Sequence, residues 1–293
     1  MTPAPPRPRV AFVTHGGSPD LTADDRLAAA ALEKLGVTIE AVPWSHPGVD
    51  WLGYTAIVLR STWDYHLKLG EFLLWVDRLD ALDAPLWNPP PLLRWNCRKE
   101  YLLTITHPHL RPPPTHFVVP GATTSLAEVL DTRHWDEVVI KPSVSADALD
   151  TLESSRARAG KDQAVFERML ERTAVVVQPL VPEVRTQGEL SLVFFDGVFS
   201  HAVRKRPRPG EFRVQERLGG TISPAEVPGS LVEWAGELLA SLPALSLYAR
   251  VDVVEAHDRF VLMEVELVEP SLFLGHAPGS ARAFAAAVHR KLV

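Results

Sequence analysis

The sequence predicts an α/β protein that opens with a parallel sheet and closes with antiparallel hairpins. Up to Trp87, short apolar β-branched runs alternate with amphipathic stretches of helix length, the pattern by which β-loop-α-β units build a parallel sheet. Beyond Pro112–Pro114 the strands come in pairs around tight polar turns such as Asp196-Gly197, the connection that antiparallel hairpins favour. The 293 residues amount to roughly two domain-sized units.

Composition agrees and removes several function classes. Apolar residues make up 46% and charged ones 23%, enough for a substantial core. Prolines gather at Pro3–Pro8, Pro89–Pro91 and Pro112–Pro114, which reads as an N-terminal tail and two connections. A net charge of −6 argues against non-specific binding to nucleic acid or anionic membranes. Cys97, the single cysteine, excludes an intrachain disulfide and a multi-cysteine metal site, and suits a reducing compartment. No signal-peptide pattern is read, and no apolar run approaches the ~20 residues of a membrane span. A soluble cytoplasmic protein is expected.

In chain order, Val10–Thr14 reads as a buried strand before the turn-prone His15–Asp20. Thr22 is placed to cap a helix from Ala23 to Leu35, with Gly36 as its stop. Val37–Val42 and Ala56–Leu59 are further strands, and His15-Gly16-Gly17 is no dinucleotide fingerprint. Ligands of open α/β sheets gather at the carboxyl ends of strands, so Arg60 is either the partner of an anion or half of a salt bridge. Leu69–Asp83 is a helix, and Trp87-Asn88 ends a short strand. Leu92, Trp95, Leu102 and Leu103 suggest a helix that carries Lys99 on a different face.

A helix over Ser125–Leu130 and a strand over Glu137–Pro142 follow. A strand-end lysine such as Lys141, beside a flexible loop (Ser143–Thr151), can hold and cover phosphates. That loop has no glycine and is a poor cradle by composition. Phe166–Glu171 reads as helix and Ala174–Val181 as a buried strand. Pro179 removes an amide from the ladder, which suits a connection between two sheets better than a central strand. Gly188–Val203 is a hairpin, and Leu231–Leu242 and Ala281–Leu292 are helices.

The chemistry gathers in a last stretch, Ala249–Leu274, which reads as a hairpin. Glu264 and Glu266, two residues apart, share a strand face, and Asp252 on the preceding strand can lie opposite. Facing carboxylates repel unless something positive sits between them. Mg²⁺ suits such a place, taking carboxylate oxygens together with nucleotide phosphates. By itself the hairpin also reads as a solvated acidic face. Arg204, Lys205, Arg206, Arg208 and Arg213 form a basic run in an acidic protein, which suggests a polyanion between run and hairpin, or a solvated loop balancing its neighbours.

The ordered set Val139-Ile140-Lys141-Pro142, Val177-Gln178-Pro179-Leu180, Gly188-Glu189, Arg213 before Gly219-Gly220, Arg250-x-Asp252 and Met263-Glu264-x-Glu266 resembles the ATP-grasp ligases. The likeness is to their glutathione-synthetase-like branch, and within it to the ADP-forming cyclo-ligases that close O-ureido-D-serine to D-cycloserine. The resemblance implies an ATP-grasp fold: an N-terminal parallel-sheet domain over 1–112, a small lid over 113–180 and a C-terminal lobe over 181–293. It implies ATP and Mg²⁺ as cofactors. Lys99 and Lys141 would contact phosphates, Gln178 and the main chain of Leu180 and Val181 the adenine, and Glu189 the ribose. Arg213 would face the transferred phosphoryl group, and Asp252, Glu264 and Glu266 would bind metal, the last where the superfamily usually has Asn.

Arg60, with Ser61 and His15 nearby, would then anchor the carboxylate of a small amino-acid-like substrate. The implied reaction turns a carboxylate into an acyl phosphate that an amine attacks. Ring closure and two-substrate ligation fit these residues equally. A non-catalytic nucleotide-binding or docking protein of the same fold is the alternative. Neither nucleic acid nor membrane is expected as a partner, and homo-oligomerisation is left open.

Overall fold

The structure, a computed structural model, describes residues 7–292, so the proline-rich tail up to residue 6 lies outside the described residues. The first part comprises β1 (Arg9–Thr14), α1 (Ala23–Glu33), β2 (Thr38–Pro43), β3 (Ala56–Leu59), α2 (Leu69–Ala81) and β4 (Leu86–Trp87). The strands form a parallel sheet in the order β2-β1-β3-β4. Thr22 caps α1 by accepting a hydrogen bond from the Asp25 amide at 3.0 Å, and Gly36 ends it at φ +81°.

α3 (Pro90–Asn96) brings the first correction. Arg98 is extended, at φ −127° and ψ 136°, and the chain resumes as a 3₁₀ turn over Lys99–Thr104. The expected single helix is therefore broken, and the break turns Lys99 inward, where it is only 9% exposed.

The middle part holds β5 (His116–Val118), α4 (Leu126–Arg133), β6 (Glu137–Pro142), β7 (Leu152–Ser155), α5 (Ala159–Leu170) and β8 (Val175–Pro179). Its antiparallel sheet runs β5-β8-β6-β7 over a core of its own, with Leu126, Ile140, Phe166 and Val177 among its members. Two expectations fail here. α5 starts at Ala159 rather than Phe166, because its inward face includes a buried aspartate, Asp162, satisfied by the Ser154 hydroxyl at 2.6 Å. A polar residue on that face hides the apolar period. β8 lies inside its sheet, with Pro179 as its last residue; the missing amide falls at the strand end and costs no interior ladder bond.

The last part runs through α6 (Val184–Gln187), β9 (Glu189–Phe195), β10 (Val198–Arg206), β11 (Thr221–Ala225), α7 (Gly229–Ala240), β12 (Tyr248–Ala256), β13 (Arg259–Glu266) and α8 (Ser280–Arg290). Its antiparallel sheet has the order β11-β10-β9-β12-β13. Phe284 of α8 shares a core with Phe12 of β1, Phe195 of β9 and Tyr248 of β12, so the first and last parts are packed as one. Asn88, fully buried, fastens them: its Nδ2 donates to the carbonyls of Tyr248 and Leu267, both at 2.8 Å. Among the described residues no helix is long and apolar enough to cross a membrane.

Candidate active site

β12 and β13 pair antiparallel with Asp252 opposite Glu264 and Arg250 opposite Glu266. Val265, between the two glutamates, points the other way and is buried. Its amide donates to the Tyr101 hydroxyl at 2.8 Å, while Asn96 donates to its carbonyl at 2.7 Å and accepts from the Leu267 amide at 2.8 Å. β13 is an edge strand whose outer groups would otherwise lack partners. The turn that broke the expected helix thus helps fix the two acids, which line a cavity of about 560 Å³ together with Lys99, Lys205 and Arg250.

The positive charge required between these acids comes from the chain itself. Lys99 Nζ lies 2.8 Å from Glu264. Arg250 pairs with Asp252 at 2.9 Å and also with Glu266. Lys205 Nζ lies 2.5 Å from Glu189 and 3.1 Å from Asp252, and Ser191 donates to Asp252 at 2.7 Å. Burial opposes ionisation of Asp252, yet Arg250 and then Lys205 hold its carboxyl well below the usual range. Burial pushes Glu266 up to about 8 against the pull of Arg250, with Glu264 and Asp252 adding repulsion. Burial likewise brings Glu269, a further wall residue, to about 7.

Among the described residues no group of three or more His, Cys, Asp or Glu side chains is arranged to hold a metal. The expected three-acid cage is thus not preassembled, because Asp252 is enclosed by Arg250, Lys205 and Ser191 and is 2% exposed. The donor chemistry still suits a hard cation, since Glu264 and Glu266 reach the cavity from one strand face.

The other anticipated residues, Lys141, Glu189, Gln178, Leu180, Val181 and Arg213, lie outside the lining of this cavity. Lys141 closes β6, partly buried; burial draws its ammonium down to about 8, with Glu264 opposing and Lys99 adding to the shift. Glu189 starts β9 opposite Lys205. Gln178 is 3% exposed and donates to Thr115 Oγ1 at 2.8 Å. The Leu180 amide donates to the Glu137 carbonyl at 3.0 Å, and the Val181 carbonyl accepts from Val184 at 3.2 Å. Arg213 does not line the cavity; it grips Glu211 at 2.8 Å, and its hydrogen bonds bring that carboxyl down to about 2.

Arg60 also stands elsewhere. It is 2% exposed, paired with Asp25 at 2.8 Å, and donates to the Pro270 carbonyl at 3.2 Å. Of the two readings open for it, the geometry is that of a salt bridge. His15 likewise is absent from the cavity wall, to which the segment after β3 contributes Trp63, Tyr65 and His66.

Sequence reasoning missed Lys205, Arg250 and Glu269 as individuals. Arg250 and Asp252 share a strand face by the same two-residue spacing that joined the glutamates. Lys205 was hidden in a basic run whose other members point elsewhere, Arg204 toward Glu255 and the Gln187 carbonyl. Above the cavity, Ser145–Leu149 form part of the wall. Asp147 and Ala148 there, and Asp150 just beyond, have φ values of +53°, +53° and +55°, conformations that glycine would adopt without steric cost. Arg217, from the loop between β10 and β11, grips the Asp147 carboxylate and its carbonyl.

A parallel-sheet part, a small antiparallel part and a lobe with a charged hairpin cavity make up the ATP-grasp fold. Structural comparison agrees: a D-alanine–D-alanine ligase of Bacillus anthracis complexed with ATP superposes with a TM-score of 0.68, covering 97% of both chains at 16% identity. Residues 10–88 match the family described as D-cycloserine synthetase DcsG, N-terminal domain. The cycloserine biosynthesis protein DcsG of Streptomyces lavendulae is 31% identical over 297 residues, 97% of this chain and 98% of the relative. The crystal structure of D-cycloserine synthetase DcsG matches with a TM-score of 0.85 at 30% identity, covering 97% of this chain and all of that one. A glutathione synthetase of Prochlorococcus marinus is 28% identical over 261 residues, 85% of this chain and 79% of the relative. The chain belongs to the DcsG family of ATP-grasp ligases, ATP-dependent enzymes that form carbon–nitrogen bonds.

Proposed function

We propose that the cavity takes ATP, Mg²⁺ and a small amino-acid-like substrate whose own nitrogen closes a ring onto its activated carboxylate. The observation that carries this reading is the wall on which Lys99, Lys205 and Arg250 meet Glu264 and Glu266. A carboxylate is a poor electrophile because its leaving group would be oxide. Transfer of the γ-phosphoryl group to a carboxylate oxygen gives ADP and an acyl phosphate; attack by the nitrogen then forms the carbon–nitrogen bond and releases phosphate. Such chemistry depends on positioning and on fixed charge more than on a protein nucleophile.

Lys99, Lys141, Lys205 and Arg250 supply the positive charge for the nucleotide phosphates. Glu264 and Glu266 would hold Mg²⁺, which neutralises phosphate charge, and Asp252 would join them as phosphates draw Arg250 and Lys205 away. Gln178, the main chain of Leu180 and Val181, and Glu189 serve the base and ribose. Arg213 reaches the transferred group when its loop turns it from Glu211. The segment 113–180, with its own core, acts as the lid, and Cys97, buried and unpaired, suits a cytoplasmic setting.

The test is ADP formation with O-ureido-D-serine, with and without Mg²⁺, followed by mass analysis of the product. Mg²⁺-dependent ADP release is expected, with D-cycloserine as product once water removes the carbamoyl group of the ring nitrogen as carbon dioxide and ammonia. ADP release that needs a second, separate amine would replace ring closure with two-substrate ligation. No ADP release across a panel of amino acids would overturn the reading.

A further inference from the structure

Once the cations of the cavity are matched to its acids, one buried acid remains without a cation. Lys99 holds Glu264, Arg250 holds Glu266, and Asp252 is shared by Arg250 and Lys205. Glu269 lines the same cavity and is 9% exposed. Among the described residues its side chain makes no ion pair, and Lys99 and Arg250 act on it only at longer range. Tyr65, Cys97 and Ser271 line the cavity with it. A buried carboxylate left unpaired is costly, and a cation arriving with a ligand would remove that cost.

The backbone around Glu269 is held as a binding site requires. Asn88 donates to the Leu267 carbonyl at 2.8 Å, and the Tyr248 hydroxyl to that of Val268 at 3.0 Å. Beyond Glu269, Arg60 donates to the Pro270 carbonyl at 3.2 Å and Arg250 to that of Ser271 at 3.2 Å. His201 Nε2 meets the Leu272 carbonyl at 2.9 Å. Five carbonyls of the segment are thus fixed by side chains from other elements, while the one cavity-facing carboxylate among them pairs with no cation. Rigid support beneath a carboxylate that lacks a counter-charge is the arrangement of a preorganised binding residue.

We propose that Glu269 binds an ammonium group of the small substrate, so that the cavity selects an amino acid over the same acid lacking its amine. The proposal rests on the reading that this cavity takes an amino-acid-like substrate. Glu269 takes no part in bond making; it orients the substrate, and the hydroxyls of Tyr65 and Ser271 are further acceptors for the ammonium hydrogens.

The test is calorimetric titration of the full chain with ADP and Mg²⁺ present, using matched probes: D-alanine against propionate, and O-ureido-D-serine against its des-amino counterpart. The parent should bind the ammonium-bearing member about tenfold to a hundredfold more tightly, as a hydrogen bond between charged groups allows. Glu269→Gln should erase that preference and leave ATP affinity unchanged. Its Tm should equal or exceed the parent's, because an uncompensated buried charge is gone. Glu269→Asp, which keeps the charge on a shorter arm, should retain part of the preference, and it carries the test if the glutamine variant does not fold. The proposal is overturned if the parent binds both members of every pair alike, or if Glu269→Gln loses stability and keeps the preference. The readout is binding, so a failure to form ADP would sink the proposed reaction and leave this test standing.

Discussion

Glu264 occupies the place where the charges of the site cross: Asp252 lies opposite it in the ladder, Lys99 is paired with it, and Lys141 feels its field. Glu264→Gln keeps the shape and removes one charge. Mg²⁺-supported turnover should collapse while circular dichroism keeps the parent's folded signal, and Tm should fall because Lys99 is left buried without its partner; unchanged turnover would falsify the metal role. Lys141 offers a test by pH. Its folded-state value, about 8, lies below the ordinary lysine value of 10.5. Between those values the unfolded chain holds a proton that the folded chain has lost, so stability without nucleotide should rise with pH across that window. ATP affinity should move oppositely, falling as pH climbs through about 8, because the counter-charge to the phosphates disappears. Lys99 and Lys205 are both raised by their acidic partners against the effect of burial, so they stay charged; Glu266 loses its proton in the same range as Lys141, and the lysine variant separates the two contributions. Lys141→Met should weaken ATP binding roughly ten- to hundredfold at neutral pH and flatten that dependence. Equal ATP affinity in mutant and parent would return Lys141 to an ordinary lysine.

At the scale of elements, the hairpin and the parallel β-α units were legible because their apolar periods are clean, and the strand spacing of two placed Asp252, Glu264 and Glu266 together. What the sequence concealed has specific causes. Arg98 breaks a helix that the leucines alone would continue, and Asp162 interrupts the apolar face of α5. Burial of Lys99, Lys205 and Arg250 depends on partners far along the chain, which no local pattern records. The loop Ser143–Thr151 was read as a poor cradle for want of glycine. It attains positive φ at Asp147, Ala148 and Asp150 regardless, with Arg217 gripping Asp147 across the cavity. Both partners are half exposed, so the pair is worth only about 0–1 kcal/mol. Arg217→Ala should therefore leave Tm almost unmoved, yet hydrogen exchange over Ser145–Leu149 should quicken because the contact joining two loops is gone. Equal exchange in the two proteins would mean that the loop is held by its own wall contacts and that Arg217 is incidental.

Across the whole molecule, Arg60 joins the first sheet to the last lobe. Its guanidinium reaches Asp25 of α1 and the Pro270 carbonyl, and lies 5.3 Å from the centre of the Tyr248 ring and 5.6 Å from that of Phe284. The same core carries Phe12 and Phe195, so this arginine is set into the joint between the two parts. The sequence placed it correctly at the end of β3 but could not show that α8 and Asp25 would close over it. Breaking a buried pair by removing one partner costs about 3–5 kcal/mol, and Arg60→Met should lose stability on that scale. Arg60→Lys should lose less, since a lysine keeps the charge near Asp25 without the planar fork that also reaches Pro270. The Michaelis constant for ATP should stay near the parent value in Arg60→Lys. Any rise in that for the small substrate should come with the fall in Tm, through the loosened Pro270 backbone beside Glu269. Melting temperature and both Michaelis constants, measured on the one lysine variant, decide the matter. A higher constant for the small substrate at unchanged Tm would make Arg60 a substrate anchor and end its role as the strut between the lobes.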